Sequence, residues 1–301
     1  MNKIKFLILT IHIFGLSQLA VAQDDLLQLL EDERPKSLLY TMATFKTNRI
    51  AIGHSIETRK KGILQLHLGT RYWNIPLEGR RTSFLVDRVS VRFGAEYAFT
   101  DLFTGELGIN SFDGVINSSL KYRVLRQQDN GKVPLGITLV QSTSLFTRNF
   151  SGVQLPGSFS ERLLFTQQAI FARKFNRNLS LQIAPTYIHS NSQQLNFEEK
   201  DFFVLGLGGR YRIGNHTELV SEYHFVAGRE EGVQGFNPYS FGLNWEIGDT
   251  TMQFFLTNAK SFDEATTILY TPNNFNFNDG GLHLGVNVIY VLHLKKRQLP
   301  K

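Results

Sequence analysis

Residues 282–294, with the sequence LHLGVNVIYVLHL, carry the clearest structural signal in the chain. Seven alternate positions of this stretch are apolar: Leu282, Leu284, Val286, Val288, Tyr290, Leu292 and Leu294. Side chains of a β-strand point alternately to its two faces, so a period of two predicts a strand with one wholly apolar face.

The same alternation recurs upstream and predicts an all-β protein with about twelve strands. The predicted strands cover residues 62–73, 87–99, 102–111, 115–126, 132–147, 160–174, 178–189, 201–213, 217–227, 238–248, 251–260 and 281–294. An even number of antiparallel strands is typical of a closed transmembrane barrel of the up-and-down type.

The connections between the predicted strands alternate in length. Short turns rich in Asn, Asp and Gly follow every even-numbered strand, at residues 100–101, 128–131, 176–178, 214–216 and 248–250. Longer connections cover residues 74–86, 148–160, 190–200, 227–237 and 261–280, and only residues 112–114 break the alternation. Outer-membrane barrels have short periplasmic turns and long outer loops, so we expect both termini in the periplasm.

Aromatic residues fall near both ends of the predicted strands, as in the two aromatic bands of a membrane barrel. Those expected near the short turns are Phe99, Phe103, Phe175, Tyr211 and Trp245. Those expected near the long loops are Tyr72, Phe146, Tyr187, Phe225 and Tyr239. The alternative is a soluble lipocalin-like barrel or β-sandwich, which would need a second core of similar size to cover so many apolar faces.

The N-terminus predicts export. Lys3 and Lys5 precede an apolar run at residues 6–16, and the small residues Ala20 and Ala22 follow. This is the pattern of a signal peptide, residues 1–22, with cleavage expected after Ala22. The run is too short for a transmembrane helix, and no later stretch is a continuous apolar 18-mer, so any membrane crossing must use strands.

Residues 23–61 differ from the strands that follow. Residues 24–33 are acidic and predict either a short amphipathic helix or a poorly ordered periplasmic leader. Residues 43–58 lack clean alternation and could form a plug, a lead-in to the first strand or an extra strand pair. The predicted organisation is therefore a signal peptide, a leader or plug-like segment at 23–61, a barrel at 62–294 and a tail at 295–301.

Composition excludes several functions. The chain has no cysteine, which excludes a lipid-modified cysteine, disulfides and thiolate metal sites. The formal charge is +6, of which Lys3 and Lys5 of the signal peptide supply two. The remaining excess is spread along the sequence, without the basic cluster that nucleic-acid binding requires. We predict no cofactor and no metal, and we expect outer-membrane lipid and the barrel-assembly machinery as partners.

The register assigns the charged residues to the barrel interior. An arginine or lysine on the lipid side at the bilayer centre costs roughly 2 to 4 kcal/mol. Arg92 and Arg210 must therefore point inward, and strand parity places other polar residues with them. The candidate lumen-lining residues are His67, Arg71, Arg92, Glu96, Glu106, Lys121, Arg123, Arg210, Arg212, Glu218, Glu222, His224, Glu246 and His283. Gln65, Gln182 and His293 share the same parity.

Several stretches resemble a known family. They are residues 23–33, residues 43–46 with Arg49, Ile50 and residues 53–55, residues 120–122, residues 172–175 and residues 206–211. Together they resemble the function-unknown outer-membrane barrels common in Bacteroidota-type bacteria. The resemblance covers most of the mature chain and implies an outer-membrane barrel, but it brings no catalytic or ligand-binding residues with it.

Two non-enzymatic functions are compatible with this sequence. A barrel of about twelve strands lies between eight strands, which side chains fill, and sixteen, which leave an aqueous channel. The interior charges could therefore line a narrow pore for solute translocation. They could instead pair with one another in a structural or partner-binding barrel, whose acidic leader contacts a periplasmic partner through Glu31, Asp32 and Glu33.

A membrane-embedded enzyme, such as a lipid hydrolase, is the third hypothesis. It would need a serine nucleophile with a histidine in reach. His54 precedes Ser55 and His189 precedes Ser190, but adjacent residues of an extended strand face opposite ways. His283 and His293 could reach groups on neighbouring strands, although a lumen histidine is more often part of a polar network. The sequence therefore favours a barrel without catalytic activity.

Overall fold

The computed structural model describes residues 39–73, 87–150, 152–192, 200–228, 235–275 and 281–294. The predicted signal peptide, residues 23–38 of the leader and the tail at 295–301 lie outside the described residues. The helix or disordered segment expected at residues 24–33 therefore stays a prediction.

Twelve strands form one closed antiparallel barrel in sequence order. They are β1 (Ile63–Trp73), β2 (Arg88–Ala98), β3 (Phe103–Asn110), β4 (Val115–Leu125), β5 (Gly136–Phe146), β6 (Leu163–Lys174), β7 (Leu179–Ser190), β8 (Asp201–Arg212), β9 (Thr217–Ala227), β10 (Tyr239–Ile247), β11 (Thr250–Thr257) and β12 (His283–His293). β1 pairs with both β2 and β12, which closes the ring. The predicted all-β barrel of about twelve strands is confirmed.

The alternation of the sequence becomes the two faces of the wall. In β3, for example, Glu106 is buried inside while Leu107 is 65% exposed outside, and β2 and β4 repeat the pattern. Large apolar side chains cover the outer surface, including Leu66, Phe93, Leu107, Leu120, Leu139, Ile183, Leu205 and Phe241. An outer apolar face and an inner polar face are what a barrel in a bilayer requires. We call the end with the short turns the turn end, and the opposite end the loop end.

One predicted aromatic position is wrong. Phe146, at the end of β5, was expected in the loop-end aromatic band, but its side chain is fully buried inside the barrel. It belongs there to a buried apolar cluster with Val115 of β4, Leu164 of β6 and Ile188 of β7. The error arises because residues 136–146 place Thr138, Val140, Ser142 and Ser144 on one face, so that polarity alone does not say which face is inner.

Two segments occupy the interior of the barrel. Residues 44–57, which we call the plug segment, are buried throughout except for the half-buried Lys46. Residues 258–271, the inward loop, are also buried apart from Lys260 and Tyr270. Residues 44–57 therefore lie inside the barrel and form none of its strands.

The inward loop contains one short helix, α1 (Glu264–Leu269), whose six residues are all buried. The Asp263 side chain accepts a hydrogen bond from the Thr266 amide at 3.0 Å and caps the helix start. Ala265, Ile268 and Leu269 pack against apolar residues of the wall. In the part of the chain described, no helix is long and apolar enough to cross a membrane.

Candidate functional site

The plug segment meets a charged arc of the wall on strands β2 to β4. Glu106 of β3 pairs with Arg49 of the plug at 3.0 Å and also with Arg92 of β2. All three side chains are at least nine-tenths buried. Asn48 of the plug donates to Glu96 of β2 beside them. Because water is excluded there, each charge depends on its protein partner.

Two further cations of this arc, Lys121 and Arg123, hold the plug. The Lys121 ammonium donates to the carbonyl oxygens of Asn48 at 2.9 Å and Ser55 at 3.2 Å. It also reaches the carbonyl of Glu57 at 3.3 Å, whose carboxylate pairs with Arg123 at 3.1 Å. A lysine that donates to three carbonyls fixes the path of an irregular segment that has few backbone hydrogen bonds of its own.

Glu222 of β9 anchors the middle of the plug. One of its carboxylate oxygens, Oε2, accepts from the amides of Ala51 at 3.3 Å and Ile52 at 3.0 Å. The other, Oε1, accepts from the Gly53 amide at 2.8 Å and lies 2.9 Å from His224 Nε2. Charge-assisted bonds of this kind are roughly twice as strong as neutral ones, so Glu222 is a principal plug anchor.

Apolar contacts hold the other side of the plug. Phe45, Ile50 and Ile56 form a buried cluster with Val140 of β5, Ile170 and Ala172 of β6, Ala184 of β7 and Val220 of β9. Gln182 of β7 accepts from the Ile56 amide at 3.0 Å and donates to the His54 carbonyl at 2.7 Å. The plug therefore has a charged side and an apolar side.

The inward loop covers the plug from the loop end. Asp263 accepts from the Ser144 hydroxyl of β5 at 2.6 Å. Glu264 accepts from the Gln168 amide of β6 at 3.2 Å and lies 3.5 Å from His54 of the plug. Arg71 of β1 lies between the rings of Phe255 and Phe262, about 4 Å from each centroid, in a double cation–π contact.

The remaining candidate residues have contacts with the wall or the rim. Arg210 pairs with Glu218 at 2.9 Å, and Asn273 Nδ2 lies 3.0 Å from His283 Nε2. Glu246 is half-exposed and pairs with Lys46 of the plug at 2.5 Å. Three other residues lie at the turn end. Gln65 accepts a hydrogen bond from Arg59, and Arg212 donates to the carbonyls of Gly214 and Asn215. The exposed His293 lies 3.6 Å from Asp249. His67 is buried, and neither of its ring nitrogens has a hydrogen-bond partner among the described residues.

A buried carboxyl pair lies at the loop end, outside the strands. Asp113 is fully buried in the turn between β3 and β4. Burial, with the Asp263 carboxylate nearby, raises the pKa of Asp113 to about 6. Asp113 also accepts from the Val115 amide at 3.3 Å, which favours the ionised form but does not reverse the shift.

The serine and histidine pairs of the enzyme hypothesis form no dyad among the described contacts. The Ser55 hydroxyl donates to the Thr47 carbonyl, and the Ser190 hydroxyl donates to the Ser192 carbonyl. His189 lies 2.6 Å from Asp201, an exposed pair at the loop end. Within the described ranges, no group of three or more His, Cys, Asp or Glu side chains could hold a metal ion.

The sequence matches one protein family over residues 45–292, the membrane-bound β-barrel domain designated DUF5777. This match covers most of the chain, so the protein belongs to that family. The transmembrane character of the predicted barrel is thereby confirmed. None of the curated proteins compared with this sequence matches it.

Several solved structures are similar to this chain over most of its length. The COG4313 outer membrane channel of Pseudomonas putida F1 has 14% identity and a TM-score of 0.48, over 79% of this chain and 98% of that one. The toluene transporter TodX of Pseudomonas putida has 11% identity and a TM-score of 0.38, over 85% and 99%. OmpT of Vibrio cholerae has 9% identity and a TM-score of 0.37, over 79% and 100%. At these values the likenesses support no conclusion about function.

Sequence reasoning did not identify the inward loop as part of the site. Asp263 and Glu264 at the start of the sequence DEATTIL are the signal of a capped helix, since Asp is a preferred N-cap and Leu and Ala are good helix formers. Residues 263–269 form only one to two helical turns, and they lie inside the connection 261–280, whose length predicts an outer loop. Its inward position depends on contacts with distant strands.

Proposed function

We propose that this protein is an outer-membrane barrel that conducts a solute through its lumen and is closed at rest by the plug segment. The observation that supports this proposal is that polar side chains of the inner wall hold the plug. Glu222 binds three plug amides, and Lys121 binds three plug carbonyls. When the plug moves away, water can form the hydrogen bonds that Glu222 and Lys121 lose, so the inner wall of the open barrel is hydrated.

A barrel that served only as a scaffold would have little use for this arrangement. Its lumen could be filled by apolar side chains, and replacing a buried ion pair by such side chains is often neutral or stabilising. Here Glu106, Arg49 and Arg92 instead form a desolvated charge cluster between two separable parts. This charge cluster favours a plug that has a defined position in the lumen and can move out of it.

The membrane and the orientation belong to the same proposal. The barrel lies in the outer membrane with its short turns and both termini in the periplasm. The alternation of short and long connections supports this orientation. The plug segment then enters the lumen from the periplasmic side.

The proposal assigns no catalytic activity to the barrel. Ser55 and Ser190 each donate to a backbone carbonyl rather than to a histidine, so neither is activated as a nucleophile. The periplasmic partner expected for the acidic leader stays a prediction.

Conductance of two matched variants tests the gate. Glu222→Gln keeps the side-chain shape but replaces one accepting oxygen by an amide that donates, so the plug loses part of its anchor. A loss of roughly 1.5 to 3 kcal/mol of charge-assisted bonding raises the population of the displaced state about 10- to 150-fold. Glu218→Gln is the control. Glu218 lies four residues before Glu222 on the same face of β9, but it contacts Arg210 and Asn244 of the wall and not the plug.

The measurement is the conductance of each folded variant in a planar lipid bilayer. Wild type and Glu218→Gln should stay closed for most of the recording, whereas Glu222→Gln should show discrete openings whose size rises with salt. The gate is refuted if Glu222→Gln is as silent as wild type, or if both glutamine variants open equally.

A further inference from the structure

A pocket of about 480 Å³ lies at the turn end, between the plug segment and the wall. We call it the mouth pocket. Its lining brings together residues 42, 43, 45, 46 and 57–60 before the first strand, the end of β6, the turn after β6, the end of β8 and Glu246 of β10. Elements distant in the sequence therefore converge on one concavity.

The mouth pocket is strongly basic. Seven of its lining residues are cationic: Lys46, Arg59, Lys60, Lys174, Arg177, Arg210 and Arg212. Its two carboxylates are already in ion pairs, Glu57 with Arg123 and Glu246 with Lys46. Arg210 pairs with Glu218. Five cations therefore line the pocket without an ion pair among the residues that the structure describes.

The five cations have donors to spare. Lys174 donates to the Met42 carbonyl at 2.8 Å, and Arg212 donates to the Gly214 carbonyl at 2.8 Å. Arg59 donates to Gln65 at 2.8 Å and to the Lys46 carbonyl at 3.2 Å. The side chains of Arg177 and Lys60 form no hydrogen bond or ion pair within the described ranges. Like charges held this close repel one another, and an anion between them removes that repulsion.

We propose that the mouth pocket binds a small multivalent anion bearing phosphate groups. Guanidinium groups match phosphate oxygens in a two-bond geometry, and lysines add point charges around them. The volume of about 480 Å³ suits a small solute and excludes a folded macromolecule. This site does not depend on the proposed gate, because it needs no plug movement.

Phosphate chemistry could reach the pocket as a free solute or as a lipid headgroup. The pocket is lined by the plug segment and by the inward residues Arg210 and Glu246, not by the apolar outer band. A free solute reaches it directly from the aqueous side, whereas a headgroup must fold over the rim. The two sources are separated by changing the lipid around the barrel.

The test is isothermal titration of the full chain, folded in an uncharged maltoside detergent, with inorganic pyrophosphate. Wild type should bind, and the affinity should fall as salt is added. The double variant Arg177→Gln with Arg212→Gln should lower the affinity at least tenfold. The control, Arg88→Gln with Lys132→Gln, removes the same charge from two exposed positions outside the pocket and should leave the affinity unchanged.

Three results would overturn the proposal. They are a lack of pyrophosphate binding by wild type at millimolar concentration, equal affinity of wild type and the Arg177 and Arg212 variant, and an equal loss in the control. A measurement in lipid nanodiscs then distinguishes a free phosphate-bearing solute from a lipid headgroup. At a salt concentration that screens the surface charge of the membrane, replacing phosphatidylcholine by phosphatidylglycerol should weaken pyrophosphate binding if headgroups compete for the pocket. An unchanged affinity assigns the pocket to the free anion.

Discussion

Two arcs of the barrel wall contact the plug segment in different ways. Strands β2 to β4 present charged groups to it, with Glu106 and Lys121 at the centre. Strands β5 to β7 present mainly apolar groups, with Val140 and Ile170 at the centre. Apolar burial is non-directional, whereas hydrogen bonds and ion pairs require particular positions. The apolar arc therefore holds the plug in the lumen, and the charged arc determines where it lies.

The largest expected effect is on the charged arc. Glu106→Gln leaves Arg49 and Arg92 buried without a full negative charge between them. Removing one partner of a buried ion pair costs roughly 3 to 5 kcal/mol of unfolding free energy. Denaturant unfolding of the barrel in lipid vesicles measures this loss, and a cost below about 1 kcal/mol would contradict the role given to this arc.

The next effect depends on pH and concerns Asp113 at the loop end. Because the pKa of Asp113 in the folded barrel is about 6, above the ordinary value of 3.8 for an aspartate, the folded state loses stability as pH rises from about 4 to 6. The full cost is present above that range. Asp113→Asn removes this cost and keeps an acceptor for the Val115 amide. The variant should exceed wild type in unfolding free energy by about 2 to 3 kcal/mol at pH 7 and by little at pH 4.

Asp101→Asn, in an exposed turn at the other end of the barrel, is the control for the pH series. Unfolding of the three proteins in the same detergent at pH 4 and pH 7 gives the comparison. A stability gap between Asp113→Asn and wild type that is the same at both pH values would show that Asp113 does not titrate as described.

The apolar side of the plug is tested by two adjacent glycines of β8. A Cβ at Gly208 would lie 2.3 Å from Cδ1 of Ile50, so the buried Ile50 side chain must move in Gly208→Ala. Overpacking of this kind costs roughly 1 to 3 kcal/mol. A Cβ at Gly209, on the lipid face, would meet Leu181 at an ordinary 3.4 Å. Gly209→Ala should leave the unfolding free energy unchanged or slightly higher, and equal losses in both variants would contradict the close contact of Ile50 with β8.

The smallest effect is expected at the rim. Glu246 pairs with Lys46, but its side chain is 42% exposed, so water compensates for much of the interaction. Glu246→Gln should lower the unfolding free energy by no more than about 1 kcal/mol, and added salt should reduce the difference further. A cost equal to that of Glu106→Gln would mean that burial does not set the strength of the plug contacts.

The wall was predictable because its information is local. Apolar and polar residues alternate along each strand and so indicate its two faces. In β1, for example, Leu64, Leu66 and Leu68 alternate with Gln65 and His67. The plug could be anticipated only as one alternative, because residues such as Asn48, Arg49 and Ile50 contact the wall on several sides and show no period. Its partners, Glu106 and Glu222, are far away in the sequence.

The mouth pocket illustrates the same limit. Arg59 lies in the short basic run of residues 59–61 and Lys174 follows Arg173, but Arg59, Lys174 and Arg212 are separated from one another by many residues. Only closure of the barrel brings the ends of β6 and β8 to the segment before β1. The sequence therefore showed an evenly spread positive charge where the structure has a concentrated one.

The central claim is that the barrel opens by displacement of the plug segment, and a reversible crosslink tests it most directly. A Cβ at Gly208 would lie 3.8 Å from Cγ1 of Ile50, so Ile50→Cys with Gly208→Cys places two thiols close enough to pair, and Ile50→Cys also removes the methyl group that would collide. The natural chain has no cysteine that could compete. With both changes combined with Glu222→Gln, conductance in a planar bilayer should be absent under oxidising conditions and should return when the disulfide is reduced. Equal conductance before and after reduction, with the crosslink verified by mass spectrometry, would contradict a gate formed by the plug.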